Sequence, residues 1–292
     1  MRHFFTCFAV TCAALTLFVR PSAADITVSA PASADIGQGF VVSMEVSGEE
    51  ISDVRINWQG HEGKMSPRKG ASGTEYSVLI GSDLKNAKAG NAPLVITFNN
   101  AAGTREKISH TVKLNTHKYP SEKLSVESSK VTPPAEVSKK IAHETEMGRA
   151  AIQSNSPGHA PKLPLVRPVP GILTSVYGKS RYFNGAFRGR HGGADMRAKE
   201  GTPVKAAADG VVVLAGDNFY FAGNCVYIDH GAGFVTFYGH LSKINVKKGD
   251  LVKAGTVIGL SGNTGRVTGP HLHFSTVWRG EYFDPAPLMS EN

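Results

Sequence analysis

The run Gly269-Pro-His-Leu-His-Phe274, close to the C-terminus, sets two histidines two residues apart inside an apolar segment. Strand side chains alternate with period two, so His271 and His273 would share one face while Leu272 and Phe274 share the other. Roughly eighty residues earlier, His191-Gly-Gly-Ala-Asp195 sets an imidazole and a carboxylate four apart in glycine-containing backbone, able to point to one side. A hydrolytic metal site wants three such ligands and one open position. His191, Asp195 and one of the two C-terminal histidines meet that requirement; spacing alone does not order His271 and His273. Two neutral imidazoles and one carboxylate around a divalent ion leave a net +1, which polarises a carbonyl and steadies developing oxyanion charge.

Outward from these motifs, residues 163–292 read as a β-rich domain with glycine turns at close intervals. Pro203–Ala207, Gly210–Leu214, Val226–Ile228, Phe234–Tyr238, Val257–Leu260 and Leu272–Phe274 are the expected strands. No long helical period follows residue 170. Cys225, in a β-prone apolar run, reads as an inert core residue. Residues 119–162 change character: Ser, Lys, Glu and Pro dominate, and the stretch reads as a linker with one helix. That helix is expected over Pro134–Gln153, with Thr132 as N-cap and the prolines in its first turn. Asn155-Ser-Pro-Gly-His159 then breaks it.

Residues 25–118 carry short alternating strands, Phe40–Val46, Val54–Trp58, Tyr76–Ile80 and Leu94–Phe98, separated by Gly, Asn, Ser and Asp. The expectation is an immunoglobulin-like β-sandwich, so the whole chain is read as mainly β. His61 and His110 look like isolated, solvated loop or edge residues. Residues 1–24 read as a signal peptide: a basic start, an almost uninterrupted apolar run from Phe4 to Val19, then Ser22-Ala-Ala24. The run is short for a membrane span, which needs about 20 residues. Cleavage would remove Arg2 and Arg20 and no acid, so the net charge falls from +8 to +6. It would also remove Cys7 and Cys12, leaving Cys225 and no internal disulfide. A basic exported protein suits an anionic surface such as a bacterial wall. Scattered lysines without an aromatic-interleaved stripe argue against nucleic acid.

His191-x-Gly193-x-Asp195, Gly201-Thr-Pro-Val204, Tyr238-Gly-His-Leu241 and Gly269-Pro-His-Leu-His-Phe274 together resemble the lysostaphin-type (LytM-like) zinc endopeptidases of bacterial cell walls. The resemblance runs from about Gly171 to Leu288, and several separated motifs in order make it specific. It implies an antiparallel β-sheet peptidase domain, one Zn2+ per chain held by His191, Asp195 and His273, and two catalytic histidines at His240 and His271. The implied reaction is hydrolysis of amide bonds in peptidoglycan stem peptides or crossbridges. The implied location is the periplasm or cell envelope, or the outside of the cell. Some relatives have lost metal ligands and activate cell-wall amidases instead; here every ligand position is filled. One departure stands out at Ser275, where Glu commonly follows His-Leu-His-Phe. His230 falls at a structural turn position, and Arg266 sits in a loop beside the metal, facing a substrate carboxylate or solvent. The N-terminal sandwich is expected to dock a regulatory partner or to cover the metal groove in part.

Overall fold

Alternating valine, isoleucine and aromatic residues build the N-terminal half. In the computed structural model, which describes residues 14–19, 25–124 and 133–291, two sheets lie there. One runs in the order Ala14–Val19, Asp25–Pro31, Gly39–Ser47, Thr74–Gly81, Arg68–Lys69; the other runs Ser33–Asp35, Arg105–Asn115, Gly90–Asn99, Ser52–Trp58, His61–Lys64. Every second residue is buried across 42–46, 92–98 and 108–114, while 76–81 is buried throughout. Val42, Met44, Val78 and Ile80 from the first sheet share one apolar cluster with Ile56, Trp58, Ile96 and Phe98 from the second. Two amphipathic sheets bury their apolar faces against each other, which makes a sandwich. The apolar N-terminal stretch is described over Ala14–Val19 as an edge strand beside Asp25–Pro31; the rest of the expected signal peptide lies outside the described residues.

The same alternation corrects the reading of His110. It shares a strand face with Ile108 and Val112, so it points inward, is only 7% exposed, and lies 3.4 Å from the Pro31 carbonyl. His61 is half-buried and not isolated: its Nε2 lies 3.0 Å from Glu281 Oε1, in the C-terminal half.

The polar connector is docked along its described length. Ser121–Leu124 adds in parallel to Ser180–Phe183, which forms a hairpin with Ala186–Arg190. The Tyr119 hydroxyl donates to the Ile36 carbonyl while its ring meets Tyr177 edge-on, and Tyr177 donates to the Tyr282 carbonyl at 2.6 Å. The expected helix is observed as a single 3-10 turn, Ala135–Val137, followed by the α-helix Ser138–Ile152. Thr132, the expected N-cap, lies outside the described residues. Met147, Ala151 and Ile152 pack on Leu214, Tyr227, Val235 and Phe237, so the helix covers part of the C-terminal sheet. Past it, Ser154 and Ser156 both donate to Asp229 Oδ2. Gly158 meets Gly231 so closely that a Cβ at Gly158 would stand 2.6 Å from the Gly231 Cα. A breaker segment that looks solvated is thus fixed by contacts far away in sequence.

The C-terminal sheet runs Leu173–Ser175, Ala194–Arg197, His271–Trp278, Phe234–Ile244, Gly223–Asp229, Gly210–Phe219, Leu251–Val252. Its neighbours pair antiparallel throughout. No helix of the described residues after Gly171 exceeds the 3-10 turn Ala286–Leu288. One face carries Tyr238, Leu272, Phe274 and Trp278, all fully buried. Phe283, on the added strand Glu281–Phe283, lies over the bare backbone of Gly39 and Gly81 and joins this core to the sandwich. Cys225 is fully buried as expected, and burial pushes its thiol up to about 12.

His230 gives the fold a measurable acid sensitivity. Its Nδ1–H donates to the Asp209 carbonyl at 2.7 Å and its Nε2 lies 2.7 Å from the Thr236 hydroxyl. Burial pushes its pKa down to about 4. An unfolded chain takes up the proton near pH 6.5, so its stabilising contribution is complete above that pH and is lost as pH falls towards 4. The slope is up to about 1.4 kcal/mol per pH unit. Denaturant unfolding of the chelator-treated protein is therefore expected to weaken between pH 6.5 and 4. His230→Gln should flatten that dependence, and an unchanged slope would contradict the assignment.

Candidate metal centre

Asp195 lies directly opposite His273 where Ala194–Arg197 pairs with His271–Trp278, and Gly239 faces His273 from the other side. Leu272 and Phe274 point into the core, so His271 and His273 take the opposite face, as period two requires. His191 reaches the same spot from the loop after Ala186–Arg190. Gly193 permits that approach: a Cβ there would stand 2.3 Å from the Phe274 carbonyl oxygen and 2.9 Å from His273 Nε2. Any side chain at this position would push the His191 loop off the sheet.

Three donor atoms converge. His191 Nε2 lies 3.0 Å from both Asp195 Oδ1 and His273 Nδ1, and His273 Nδ1 lies 2.8 Å from Asp195 Oδ1. Ligands at 2.0–2.1 Å from a tetrahedral zinc are spaced by about 3.3 Å, so this triangle matches one face of such a site to a few tenths of an ångström. The remaining ring nitrogens are held from behind. His191 Nδ1–H donates to the Val176 carbonyl at 2.9 Å, and His273 Nε2 lies 2.9 Å from the Ser275 hydroxyl. Such outer contacts orient an imidazole and set which nitrogen is free. Burial alone would raise the Asp195 carboxyl, but hydrogen bonds and charge from His191 and His273 outweigh it and hold it well below the usual range. Burial pushes His273 down. An ionised carboxylate flanked by two imidazoles is a donor set suited to a divalent ion.

His240 and His271 stand beside this triangle. Their rings are 4.8 Å apart, and His271 Nε2 lies 3.8 Å from Asp195 Oδ1, a full ångström farther than His273 Nδ1. His240 Nδ1–H donates to the Thr264 carbonyl at 2.9 Å and His271 Nδ1–H to the Gly269 carbonyl at 2.8 Å. Each ring is therefore pinned through Nδ1 with Nε2 left to accept a proton. His240 sits at φ +66°, in the left-handed region, held there by its own amide donating to the Ala222 carbonyl at 2.8 Å. Backbone strain of this kind concentrates where a side chain must be aimed. Burial, reinforced by the charge of His273, lowers its pKa to about 4, so it is neutral at pH 7. His230, by contrast, belongs to the separate hydrogen-bonded turn described above.

The sequence model of Peptidase family M23 matches residues 189–285, which span all five of these residues. The crystal structure of a peptidase M23 from Pseudomonas aeruginosa superposes with a TM-score of 0.60 at 30% identity, over 84% of this chain and 94% of that one. The chain belongs to peptidase family M23. Over 102 residues it is 57% identical to the peptidoglycan DD-endopeptidase ShyA of Vibrio cholerae, covering 35% of this chain and 23% of that protein. Over 99 residues it is 48% identical to lysostaphin of Staphylococcus simulans, covering 34% and 20%. The chain thus spans about a quarter of the length of the curated relatives it matches.

Near the site of this M23 chain, one residue carried no signal of its own in the sequence and one was marked only as a departure from the family pattern. Arg181, in a segment where no strand was expected, brings its guanidinium 3.7 Å from Asp195 Oδ2. Ser275, fully buried, takes the position behind His273 where Glu was expected. Removing that hydroxyl leaves the His273 Nε2 side unpartnered and the ring free to turn. Ser275→Ala should weaken metal affinity about 10- to 100-fold, as losses of such outer contacts do. Competition with a fluorescent zinc chelator measures this, and wild-type affinity in the variant would show that the hydroxyl does not orient His273.

Proposed function

We propose that this chain is a zinc-dependent endopeptidase that hydrolyses amide bonds in peptidoglycan stem peptides or crossbridges. The observation that carries the reading is the closed triangle of His191 Nε2, Asp195 Oδ1 and His273 Nδ1, with two further imidazoles turned towards it. In this reading His191, Asp195 and His273 hold one Zn2+, and His240 and His271 handle protons. The bound ion would supply Lewis-acid polarisation of the scissile carbonyl and acidify a water. His240 Nε2, neutral at working pH, accepts the proton of the attacking water and returns it to the leaving amine. His271 Nε2, beside it, accepts a hydrogen bond that orients the attacking water. The Phe237 ring packs 5.6 Å from that of His273.

The similarity to ShyA and lysostaphin supports a wall substrate, and a wall substrate implies export to the periplasm or envelope. No helix of the described residues is long and apolar enough to cross a membrane. Residues 25–118 form the accessory domain in this reading, a surface for a regulatory partner, and residues 163–292 the peptidase domain. A complete ligand triangle disfavours the rival role of a metal-free amidase activator.

Mass spectrometry of fragments released from defined sacculi, with and without chelator, tests the reading. New peptide termini on stem or bridge residues, absent after chelation, are expected. Intact sacculi with zinc-loaded protein, or cleavage of glycan bonds alone, would refute it.

A further inference from the structure

The connector helix Ser138–Ile152 does not close onto the sheet along its whole length. Met147, Ala151 and Ile152 pack down near its C-terminal end. Glu144 and Gly148 stand instead over a cavity of about 290 Å3 whose far wall is Phe219, Phe221, Tyr227 and Tyr282. This helical wall lies outside residues 189–285, the stretch that matches the M23 family. A run of rings joins the cavity to the metal-bearing face of the sheet: Tyr227 packs on Phe237 at 4.6 Å between centroids, and Phe237 on His273 at 5.6 Å.

Two features mark this space as built. Gly148 is a glycine inside a helix, where it weakens the helix because it gives up the most backbone freedom on folding. Its bare Cα keeps the cavity open, since a Cβ there would stand 3.1 Å from the Tyr227 hydroxyl. That hydroxyl is the second feature. Tyr227 is only 8% exposed, and its oxygen, turned to this space, has no hydrogen-bond partner among the described residues. A phenol so placed gives up its hydration and gains no bond in exchange.

The walls select the ligand by charge. The Glu144 side chain is nine-tenths buried; its Oε2 accepts the Tyr220 amide at 2.8 Å, and Lys140 Nζ stops 3.7 Å from its Oε1. A carboxylate has about four lone-pair sites, so acceptor capacity remains on the cavity side. Arg149, at the rim, is exposed and turned to Glu146 at 3.3 Å. The aromatic wall offers ring faces that attract a cation, and Phe221 already takes the Arg266 guanidinium on one face at 4.4 Å. Carboxylate, phenol oxygen and ring faces suit a compact N–H cation, and the apolar Ile141 and Ile152 suit the chain that carries it.

We infer that the cavity beneath the connector helix binds a primary ammonium on an aliphatic chain, held by the Glu144 carboxylate and the Tyr227 hydroxyl against the aromatic wall. The site uses none of the metal ligands, so it stands or falls apart from the peptidase reading.

Calorimetric titration of the full chain with n-butylammonium chloride, and with n-butanol as its uncharged counterpart, tests the site. The ammonium should bind once per chain, at least about tenfold more tightly than the alcohol, as charge-assisted hydrogen bonds outdo neutral ones. Glu144→Gln keeps an acceptor for the Tyr220 amide and removes the charge, so it should erase that preference. Tyr227→Phe keeps the ring and should weaken the ammonium several-fold, while Gly148→Leu fills the space and should abolish binding of both. Zinc content and circular dichroism should match the wild type in all three. No saturable heat with n-butylammonium, equal affinity for the two probes, or wild-type ammonium affinity in Glu144→Gln overturns the site. A peptide side chain and a free small diamine both present such a group. Titration with N-acetyl-lysine methylamide and with putrescine separates them, the tighter of the two identifying the source; binding of neither overturns the site.

Discussion

Asp195→Ala should lose both the metal and the activity. The carboxylate is the only anionic donor in the triangle, and both His191 Nε2 and His273 Nδ1 lie within 3.0 Å of its Oδ1. Without it, two neutral imidazoles face a divalent ion with no compensating charge, and Arg181 turns from a partner of the site into a bare cation beside it. Zinc content should drop from about one per chain to a small fraction of that, because a catalytic site needs three protein donors to hold the ion. Hydrolysis of sacculi should fall below detection, a loss of at least about 10³-fold given the share of the rate that a Lewis acid and its water supply. His191→Ala should behave alike, since its ring is 5% exposed and closes the same triangle from beneath. Metal analysis after metal-replete purification, paired with a sacculus assay, checks both. An Asp195→Ala protein that keeps stoichiometric zinc would show that the ion sits elsewhere.

His240→Ala separates binding from catalysis. Its ring centroid lies 6.1 Å from that of His273 and contributes no atom to the triangle, so zinc content should stay at the wild-type level. Loss of a positioned general base costs about 10²- to 10⁴-fold in rate, and kcat should carry the loss while KM moves little. Neutral His240 at pH 7 follows from its burial. The sign of the pH effect is then definite: a base with lowered pKa stays competent down to about pH 4 and does not gain from alkali. Full turnover of purified sacculi by the variant would remove His240 from the mechanism.

Several parts of this arrangement are written in local sequence. The strand through His271-Leu-His-Phe274 and the two faces it presents follow from alternation over four residues, and local backbone geometry enforces that alternation. The strands of the sandwich were legible for the same reason, at Phe40–Val46 and Val54–Trp58 among others. The connector helix was legible from its prolines and spacing, and is observed within one or two residues of its expected end. His110 shows the limit of reading a histidine by its type: the residues on either side, Ile108 and Val112, decide that it faces inward. The connector shows a different limit. Its polar composition suggested a solvated linker, yet Ser121–Leu124 adds to a sheet edge and Gly158 meets Gly231. Backbone hydrogen bonds to distant strands leave no mark in composition.

By itself the sequence determined the donor types, their pairing two and four residues apart, and the β character of the chain, because each of these is settled within a few residues of backbone. Tertiary structure decided which C-terminal histidine closes the triangle. His271 and His273 are equivalent to any local rule, and only the antiparallel register that sets Asp195 opposite His273 brings one ring to 2.8 Å and leaves the other at 3.8 Å. It likewise decided that Ser275 stands behind His273 and that Arg181 reaches to 3.7 Å from Asp195. Those neighbours come from strands and loops separated by tens to about a hundred residues, and the packing of the whole sheet, not any short segment, fixes how far apart they stand.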